Sequence, residues 1–595
     1  MSHRRVPYFS FSSCVRISLQ VSTTLRWFAA AAISQTQPLP TSGSKGNNCG
    51  MPLVRRSFQS RGHSGRPCTH RWASVRTRAS RMAAGRRRSN SGSPGGLLPL
   101  IGFHCMQFRE GLSDRRAADA VRGRIDWKYL LALDLADAGF DFSVLCEFRA
   151  RLLEHEAGER LLTRLLDVAR AGGLLKARGR QRTDSTHVLA AIRTLNRLEL
   201  LAETLRAALN AVASAAPAWL GSIVPADWHE RYDRRVEDAD LPGPGPKRDA
   251  LIAQVGADGF HLLDALDKPD APQSARDPAA VAVLHRVWGR HFVRGGSGPQ
   301  GNPTSKVRLL PLQNRGPGDR IQSPYDAEAR YRTKRNTGWI GYMVHLTETC
   351  DAGAPHLIVH ADTTAATVHE IMRVEAIHAA LAAKGLIPSE HLADAAYISA
   401  AQLAAARERH GIDLIGPPRP QSTWQYKTAG GFTNADFDVD WDDHVVRCPA
   451  GHRSTAWHEF TRRYYGEARG RRIRVCFDAA LCAPCSSRAR CTSARAQGRQ
   501  LTLHPRAEHE ALAAVRVRQA GETEHLYAQR RGVEGTIAQA VGAFGLRRCR
   551  YRGLARAGLQ SLATAAALNF DRLAAWFARR PLATTRTSRI ATLAA

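Results

Sequence analysis

Residues 176–188 read KARGRQRTDSTHV. The stretch is basic and then turns extended, because Thr, Val and small polar residues suit a pleated chain better than a helix. Asp184 therefore lands on a strand, straight after a run of positive charge. A long helical pattern follows, from Leu189 to about Ala213. The next strand-like patterns come far downstream. GYMVHLTET and HLIVHADTT read as strands over 342–349 and 356–363. An amphipathic helix is expected over 367–384, closed by Lys384-Gly385. EHLADAAY is a short strand ending at Asp394, and a helix (399–410) and the strand IDLIGPP come next. Strands alternating with helices in this way predict a mixed α/β sheet flanked by helices.

Two stretches break that rhythm. Residues 214–335 mix helices with Pro- and Gly-rich links such as LPGPGPK and GGSGPQGNP. Gly296, Gly298 and Gly301 spell G-x-G-x-x-G, but no strand precedes them and no helix follows, so they read as a loop. In residues 419–500, Asp436, Asp438, Asp440 and Asp442 alternate with Phe437, Val439 and Trp441. That period of two predicts a half-buried strand with a solvated acidic face. Cys448 opens a knuckle-like Cys-Pro-Ala-Gly, and Cys482-x2-Cys485-x5-Cys491 follows. Four thiolates in two groups match a structural Zn²⁺ site, against the alternative of free or redox thiols. Cys476, in RVCF, is read as core. From 505 the pattern is helical again to Ala578, with a turn near Tyr551-Arg552-Gly553.

Upstream, residues 105–170 read as three short helices with basic outer faces. Ser113 caps SDRRAADAVR; Ile125, Tyr129 and Leu133 mark one apolar face; Leu145, Phe148 and Leu152 mark another. This is a helix-turn-helix-like module, with a plain helical bundle as the alternative. Before Glu110 there is no acidic residue, while residues 1–109 hold 17 Lys and Arg. The abrupt change at 105–110 reads as non-native coding sequence, ahead of a disordered basic arm or a targeting segment.

The whole chain has 595 residues, 85 Lys+Arg against 53 Asp+Glu, and a net charge of +32. That length predicts several domains. A hydrophobic share of 44% excludes a wholly disordered chain. No apolar run is long enough for a membrane span, so a membrane partner is not expected. Twelve Cys in 595 residues are too sparse for a disulfide framework and fit a reducing cytoplasm. The charge points to a polyanion, nucleic acid being the commonest.

Three acids close elements that can be recognised: Asp184 in T-D-S-T-H, Asp394 in A-D-A-A-Y, and Glu534 in HLYAQRRGVEGTIAQAVGAFGLRR. Over about 105–580, with QFREGLSDRRAADAVRGRIDWKY, GRQRTDSTHVLAAIR, SPYDAEARYRTKR, GYMVHLTET, DAAY and VEGTIAQAVGAFGLRRCRYRG, the sequence resembles the DDE transposases of bacterial insertion sequences, in the branch with a Cys-rich segment before the Glu. Tyr527-x2-Arg530-x3-Glu534 is similar to the family's Tyr/Arg/Glu/Lys signature, with Val541 where its Lys stands; Arg547 or Arg548 would take the basic role.

The resemblance implies an RNase H-like core. Asp184 would lie on its first strand, Asp394 after its fourth, and Glu534 on a late helix, together holding Mg²⁺ or Mn²⁺ for DNA cleavage and strand transfer. The expected organisation is a leader (1–104), a helical DNA-binding module (105–175), a catalytic core in three pieces (176–200, 336–418 and 501–580), a helical/loop insertion (201–335) and a Cys-rich β insertion (419–500). Tyr527, Arg530, Arg547 and Arg548 are candidate DNA contacts. Arg530 and Glu534 also make sense as a plain intrahelical salt bridge, and His187 as a structural residue. Tyr527, Trp424, Trp441 and Trp457 are read as core packing rather than as bases' stacking partners. The implied partners are terminal inverted repeats, target DNA and a second copy in a synaptic dimer, in a bacterial cytoplasm at the nucleoid. The other readings are an inactive remnant binding DNA through a zinc-containing fold, and a nuclease without strand transfer.

Overall fold

A computed structural model of the chain describes residues 98–580, except 132, 295–306, 312–319, 335, 465–466 and 520–522. The leader before Leu98 and the glycines at 296–301 lie outside the described residues. Backbone contacts divide the chain into two units, Met1–Leu175 with Ala566–Ala595, and Lys176–Ala565.

The first unit is helical. Its described helices before Leu175 are Leu98–Arg109, Asp114–Gly123, Ile125–Leu130, Ser143–Glu154 and Arg160–Ala171, and the end of helix Leu554–Phe577 also belongs to it. Ser113 caps the second as expected, its Oγ accepting from the Arg116 backbone N–H. Ala117, Ala118, Ala120 and Val121 turn inward, while Arg115, Arg116 and Arg122 stay exposed. The third helix departs from the expectation. It stops at Leu130, so Ile125 and Tyr129 face solvent while Trp127 and Lys128 are buried. The Lys128 ammonium is retained inside because it donates to the carbonyls of Leu135 and Asp137, at 2.8 and 2.6 Å, and so closes the turn beneath it.

The second unit opens with β1 (Arg178–Leu189). The expected helix after it starts later, at Arg197, where Asn196 and Glu199 form a reciprocal capping box. Helices Arg197–Ala215, Pro246–Asp267 and Ala279–His291 pack around Leu201, Leu205, Leu262, Leu284 and Trp288. Gly259 lets the Trp288 indole lie flush on its helix, since a Cβ there would stand 2.1 Å from the ring. A small ribbon, β2 (Phe292–Arg294) and β3 (Val307–Leu309), closes this insertion.

Next in the chain come β4 (Arg330–Lys334), β5 (Thr337–Thr349), β6 (Ile358–Ala365), β7 (Pro388–Ala393) and β8 (Asp413–Ile415). With β1 they make one mixed sheet. β1 lies in its middle, antiparallel to β5 on one side and parallel to β7 on the other, with β8 beyond β7. The far edge of β5 takes β4 against its first five residues and β6 against the rest. Helices Val374–Ala383 and Ala400–His410 follow β6 and β7, the second capped by Ser399 and ended by Gly411 at φ 60°. The helix expected from 367 begins instead with a 3-10 turn, Glu370–Arg373.

The Cys-rich insertion contains β9 (Asp438–Asp440), β10 (Val445–Arg447), β11 (Ala456–Tyr464), β12 (Glu467–Cys476) and β13 (Gln500–Leu503). Its own core is Phe437, Val446, Ile473, Val475, Phe477, Leu501 and Leu503. The alternating acidic strand is shorter than its pattern. Asp436 leaves it to cap a turn with Thr433, and Asp440 accepts the N–H groups of Asp442 and Asp443. Helices Arg506–Gln519, Thr523–Ala528, Arg531–Phe544 and Leu554–Phe577 complete the chain, and Gly553 turns at φ 91° before the last. Among the described residues no helix is long and apolar enough to cross a membrane.

Candidate active site

Register brings the two aspartates together. Thr183 of β1 is paired with Ala393 of β7 in parallel, so Asp184, still within β1, and Asp394, just past the end of β7, come side by side. β7 is the fifth strand of the sheet in chain order rather than the expected fourth, because the short edge strand β4 precedes β5. Asp184 Oδ1 accepts the Ser185 N–H at 2.7 Å, and Asp394 Oδ1 accepts that of Ala396 at 2.9 Å. Burial raises the pKa of Asp184, and the charge of Asp394 raises it further; Arg530 and the Ser185 N–H act the other way.

The third acid arrives on a helix. Glu534 lies in the first turn of Arg531–Phe544, where the helix dipole favours negative charge. Its carboxylate is about half exposed, at 55%. Arg530, at the start of that helix, joins two distant parts of the chain. Its guanidinium donates to Asp184 Oδ2 at 2.9 Å and also to Glu534 Oε1. The expected Arg530–Glu534 pair is therefore present, and it is one half of a bridge. Tyr527 stands beside Arg530, 5.7 Å from ring to guanidinium, within the fields of Asp394 and Asp184. Arg547 donates to Thr186 Oγ1 at 3.1 Å, and its carbonyl accepts the Leu189 N–H, so the segment after the helix is tied to the end of β1. Arg548 is exposed next to it. His187 packs on Trp339, rings 5.2 Å apart.

What fixes the height of the Glu helix is a buried ion pair that sequence reasoning did not single out. Arg182 Nε donates to Glu348 Oε1 at 2.7 Å, with side chains 7% and 0% exposed. The other oxygen of Glu348 accepts from Thr536 Oγ1 at 2.6 Å, two residues along from Glu534. Arg182 also donates to the carbonyl of Gln529, at 2.5 Å, just ahead of the helix. Gly532 makes the approach feasible, since a Cβ there would stand 2.1 Å from Arg182 Nη1.

A second polar line runs behind β1. The Thr183 hydroxyl lies 2.7 Å from Thr347 Oγ1 and 2.6 Å from His391 Nε2. His391 Nδ1 is 2.8 Å from His378 Nε2. Burial pushes the His378 pKa down to about 4 and holds that of His391 well below the usual imidazole range, so both rings are neutral. Tyr397, fully buried, lies 2.7 Å from His345 Nδ1. Its hydroxyl stays protonated, because burial and the charges of Asp184 and Asp394 all disfavour a phenolate. These groups hold the strand ends that carry the aspartates.

In the insertion, Cys448, Cys482, Cys485 and Cys491 line one small cavity with His452, Phe432, Phe477 and Arg499. Cys448 begins a tight turn: its N–H donates to the His452 carbonyl at 2.9 Å, and Gly451 sits at φ 84°. Burial raises the Cys491 thiol, and the other three thiols add to the effect. Cys476 ends β12 opposite Ala456. Among the described residues no three His, Cys, Asp or Glu side chains are drawn close enough to hold a metal ion, in this cavity or at the sheet edge.

Two family models match the chain. One, described as a transposase DDE domain, covers residues 447–574; the other, a transposase domain (DUF772), covers 83–151. Both are transposase families, and together the two matches indicate an insertion-sequence DDE transposase. The first match takes in the four Cys and Tyr527, Arg530, Glu534, Arg547 and Arg548 of the transposase, while Asp184 and Asp394 lie before it. The second begins at residue 83, inside the acid-free stretch, and runs through the capped helix at Asp114–Gly123. No curated protein matches the transposase.

Proposed function

We propose that this chain cuts and joins DNA at the ends of its insertion sequence, with Asp184, Asp394 and Glu534 as the catalytic carboxylates of an RNase H-like core. The observation that carries the reading is the Arg530 bridge. It gathers Asp184 from the central strand and Glu534 from a helix 350 positions later in the chain, at the edge where Asp394 also emerges. A sheet with three antiparallel strands, β6, β5 and β1, continued by parallel β7 and β8, supports the core.

The donor chemistry fits Mg²⁺ or Mn²⁺. All three groups are hard carboxylate oxygens, and Arg530 already supplies positive charge between two of them. A divalent cation held there would lend its charge to the attacking and leaving oxygens of a phosphodiester. The chain's own part is positioning. The sheet register sets the two aspartates, the Arg182–Glu348–Thr536 brace sets the helix of Glu534, and Arg530 and Tyr527 stand ready beside them for a phosphate and its nucleotide. Arg547 and Arg548 extend the positive edge along β1. The exposed Arg115, Arg116 and Arg122 fit a helix-turn-helix-like module reading the terminal inverted repeats, and two copies would be needed to bring both ends together. The four Cys fit Zn²⁺ by their thiol chemistry and shared cavity, with closure of the cavity on the ion as the folding step. Purified chain carrying one Zn²⁺ that is lost from Cys485→Ser checks that assignment; a metal content unchanged by the substitution overturns it.

The test of the activity is purified chain, Mn²⁺ or Mg²⁺, and a duplex carrying an insertion-sequence end. Nicked and joined products are expected, and Asp184→Asn, Asp394→Asn and Glu534→Gln should each abolish both. Cleavage that survives Asp184→Asn overturns the assignment. Binding without any cutting favours a remnant acting only as a DNA-binding protein, and cutting without joined products favours a plain nuclease.

A further inference from the structure

The charge of this chain is not spread evenly over its described part. Residues 110–595 hold 68 Lys+Arg and 53 Asp+Glu, an excess of 15. Residues 445–503 alone hold 12 Arg and three acids, Glu459, Glu467 and Asp478. An excess of 9 therefore sits in 59 residues. The acidic strand β9 pairs with β10, and Arg447 of β10 and Arg453, bridged to it, meet the charge of Asp440. The rest of the positive charge belongs to β11 and β12 and to the Cys-bearing turns after them.

The shape of that ribbon matters. β13 pairs β12 only from Ile473 to Cys476, whereas β11 pairs β12 out to Tyr464 and Glu467. Beyond Ile473 the two strands continue alone as an arm about 15–20 Å long. Ile473 and Val475 turn one side of its base into the core. On the other side Arg474 is exposed, its guanidinium 5.0 Å over the Phe460 ring. Arg462, Arg463 and Arg471 are exposed along the arm, and the register shifts between Thr461 and Arg463, a bulge that splays neighbouring side chains apart. Glu459 engages Arg471, and Glu508 lies 3.6 Å from Arg472.

We infer that this arm is a second DNA contact, separate from the carboxylate edge, which grips the phosphate backbone of the duplex. The inference rests on the transposase reading for the identity of the polyanion. Its chemistry is planar guanidinium against phosphate, on a two-stranded ribbon of a width that a DNA groove accepts. Residues 456–476 hold no Asn or Gln, and Glu459 is engaged by Arg471, so the guanidiniums are assigned to phosphates and their contribution is taken as independent of sequence.

The experiment uses full-length chain with Arg462, Arg463 and Arg474 all changed to Gln, and a matched variant with all three changed to Lys. Binding is measured on an end-bearing duplex and on a scrambled duplex from 50 to 300 mM KCl. Each phosphate contact contributes about 0.9 to the slope of log K against log salt, so three lost contacts make it shallower by about 2.7 on both duplexes. The Lys variant should keep the wild-type slope, which separates lost charge from lost folding. A Gln variant with an unchanged slope and Asp184-dependent cleavage overturns the inference and leaves the catalytic reading standing. Wild-type chain that binds no duplex at all removes the catalytic reading along with it.

Discussion

Glu348→Gln is the sharpest probe of how the Glu-bearing helix is held. The substitution keeps the shape of the side chain and removes its charge. Arg182, 7% exposed, would then keep the Gln529 carbonyl and His356 Nδ1 as partners, neither of them negative. Breaking a buried pair from one side leaves an uncompensated charge and costs about 3–5 kcal/mol. A loss of about 3 kcal/mol lowers the melting midpoint of a large domain by roughly 6–12 °C. Removing both charges together, Arg182→Met with Glu348→Leu, should cost far less than the two single changes added, because no orphan is left. The same loosening frees Thr536 and shifts Glu534, so metal-dependent cleavage should fall by about 10–100-fold. Thermal melts of the five proteins (wild type, Glu348→Gln, Arg182→Met, Glu348→Leu and the double variant), with cleavage measured well below each midpoint, provide the readout. If Glu348→Gln melts within a degree of wild type, or the double variant costs the full sum, the pair does not brace this helix.

Asp184→Asn should abolish cleavage and raise the melting temperature near neutral pH. The folded site raises the pKa of Asp184, so ionising it costs the folded state more than the unfolded one; the gain should fade as pH falls through that raised pKa toward the usual carboxylate range, and a variant less stable than wild type at pH 7 contradicts this. His378 runs in the opposite sense. With its pKa lowered from 6.5 to about 4, the unfolded state takes up the proton first, so stability should decline by roughly 3 kcal/mol as pH falls across that window, and the decline should flatten in His378→Asn. Gly532→Ala normally favours a helix by about 1 kcal/mol, but here the new methyl meets the pinned guanidinium of Arg182, so a net loss of about 1–3 kcal/mol is expected in a chemical melt; a gain would mean the approach is not close.

The elements that sequence made legible are those whose pattern is local. β1 was visible because a basic run turns extended, and β7 because its apolar run stops at Asp394. The helix of Glu534 was visible in its spacing, and Arg530 four residues earlier pointed to one of its two partners. What escaped is pairing at long range. Arg182 belonged to a basic run and Glu348 to a strand-like string, and neither pattern says that they meet across 166 positions. Thr183, His391 and His378 are ordinary residues in their own segments and form a line only once β1 and β7 are side by side. Local competition explains the other differences. A turn held by Lys128 ended a helix early and left Ile125 exposed, and Thr433 drew Asp436 out of the acidic strand.

The central position of β1 has a consequence for how the protein is made. The strand that carries Asp184 is synthesised first of the sheet, yet its parallel neighbour is β7, and Thr183 waits 208 positions for His391. At about 5–20 residues per second a ribosome needs roughly 10–40 s to deliver that partner. Until β5 emerges, a strand meant for the middle of a sheet has two open edges, and a chain cut short before Ala393 keeps one of them for good. The helical insertion between β1 and β5 can settle around its own core in that time, and the nascent chain would be most vulnerable to association with its neighbours on the same message before β5 emerges.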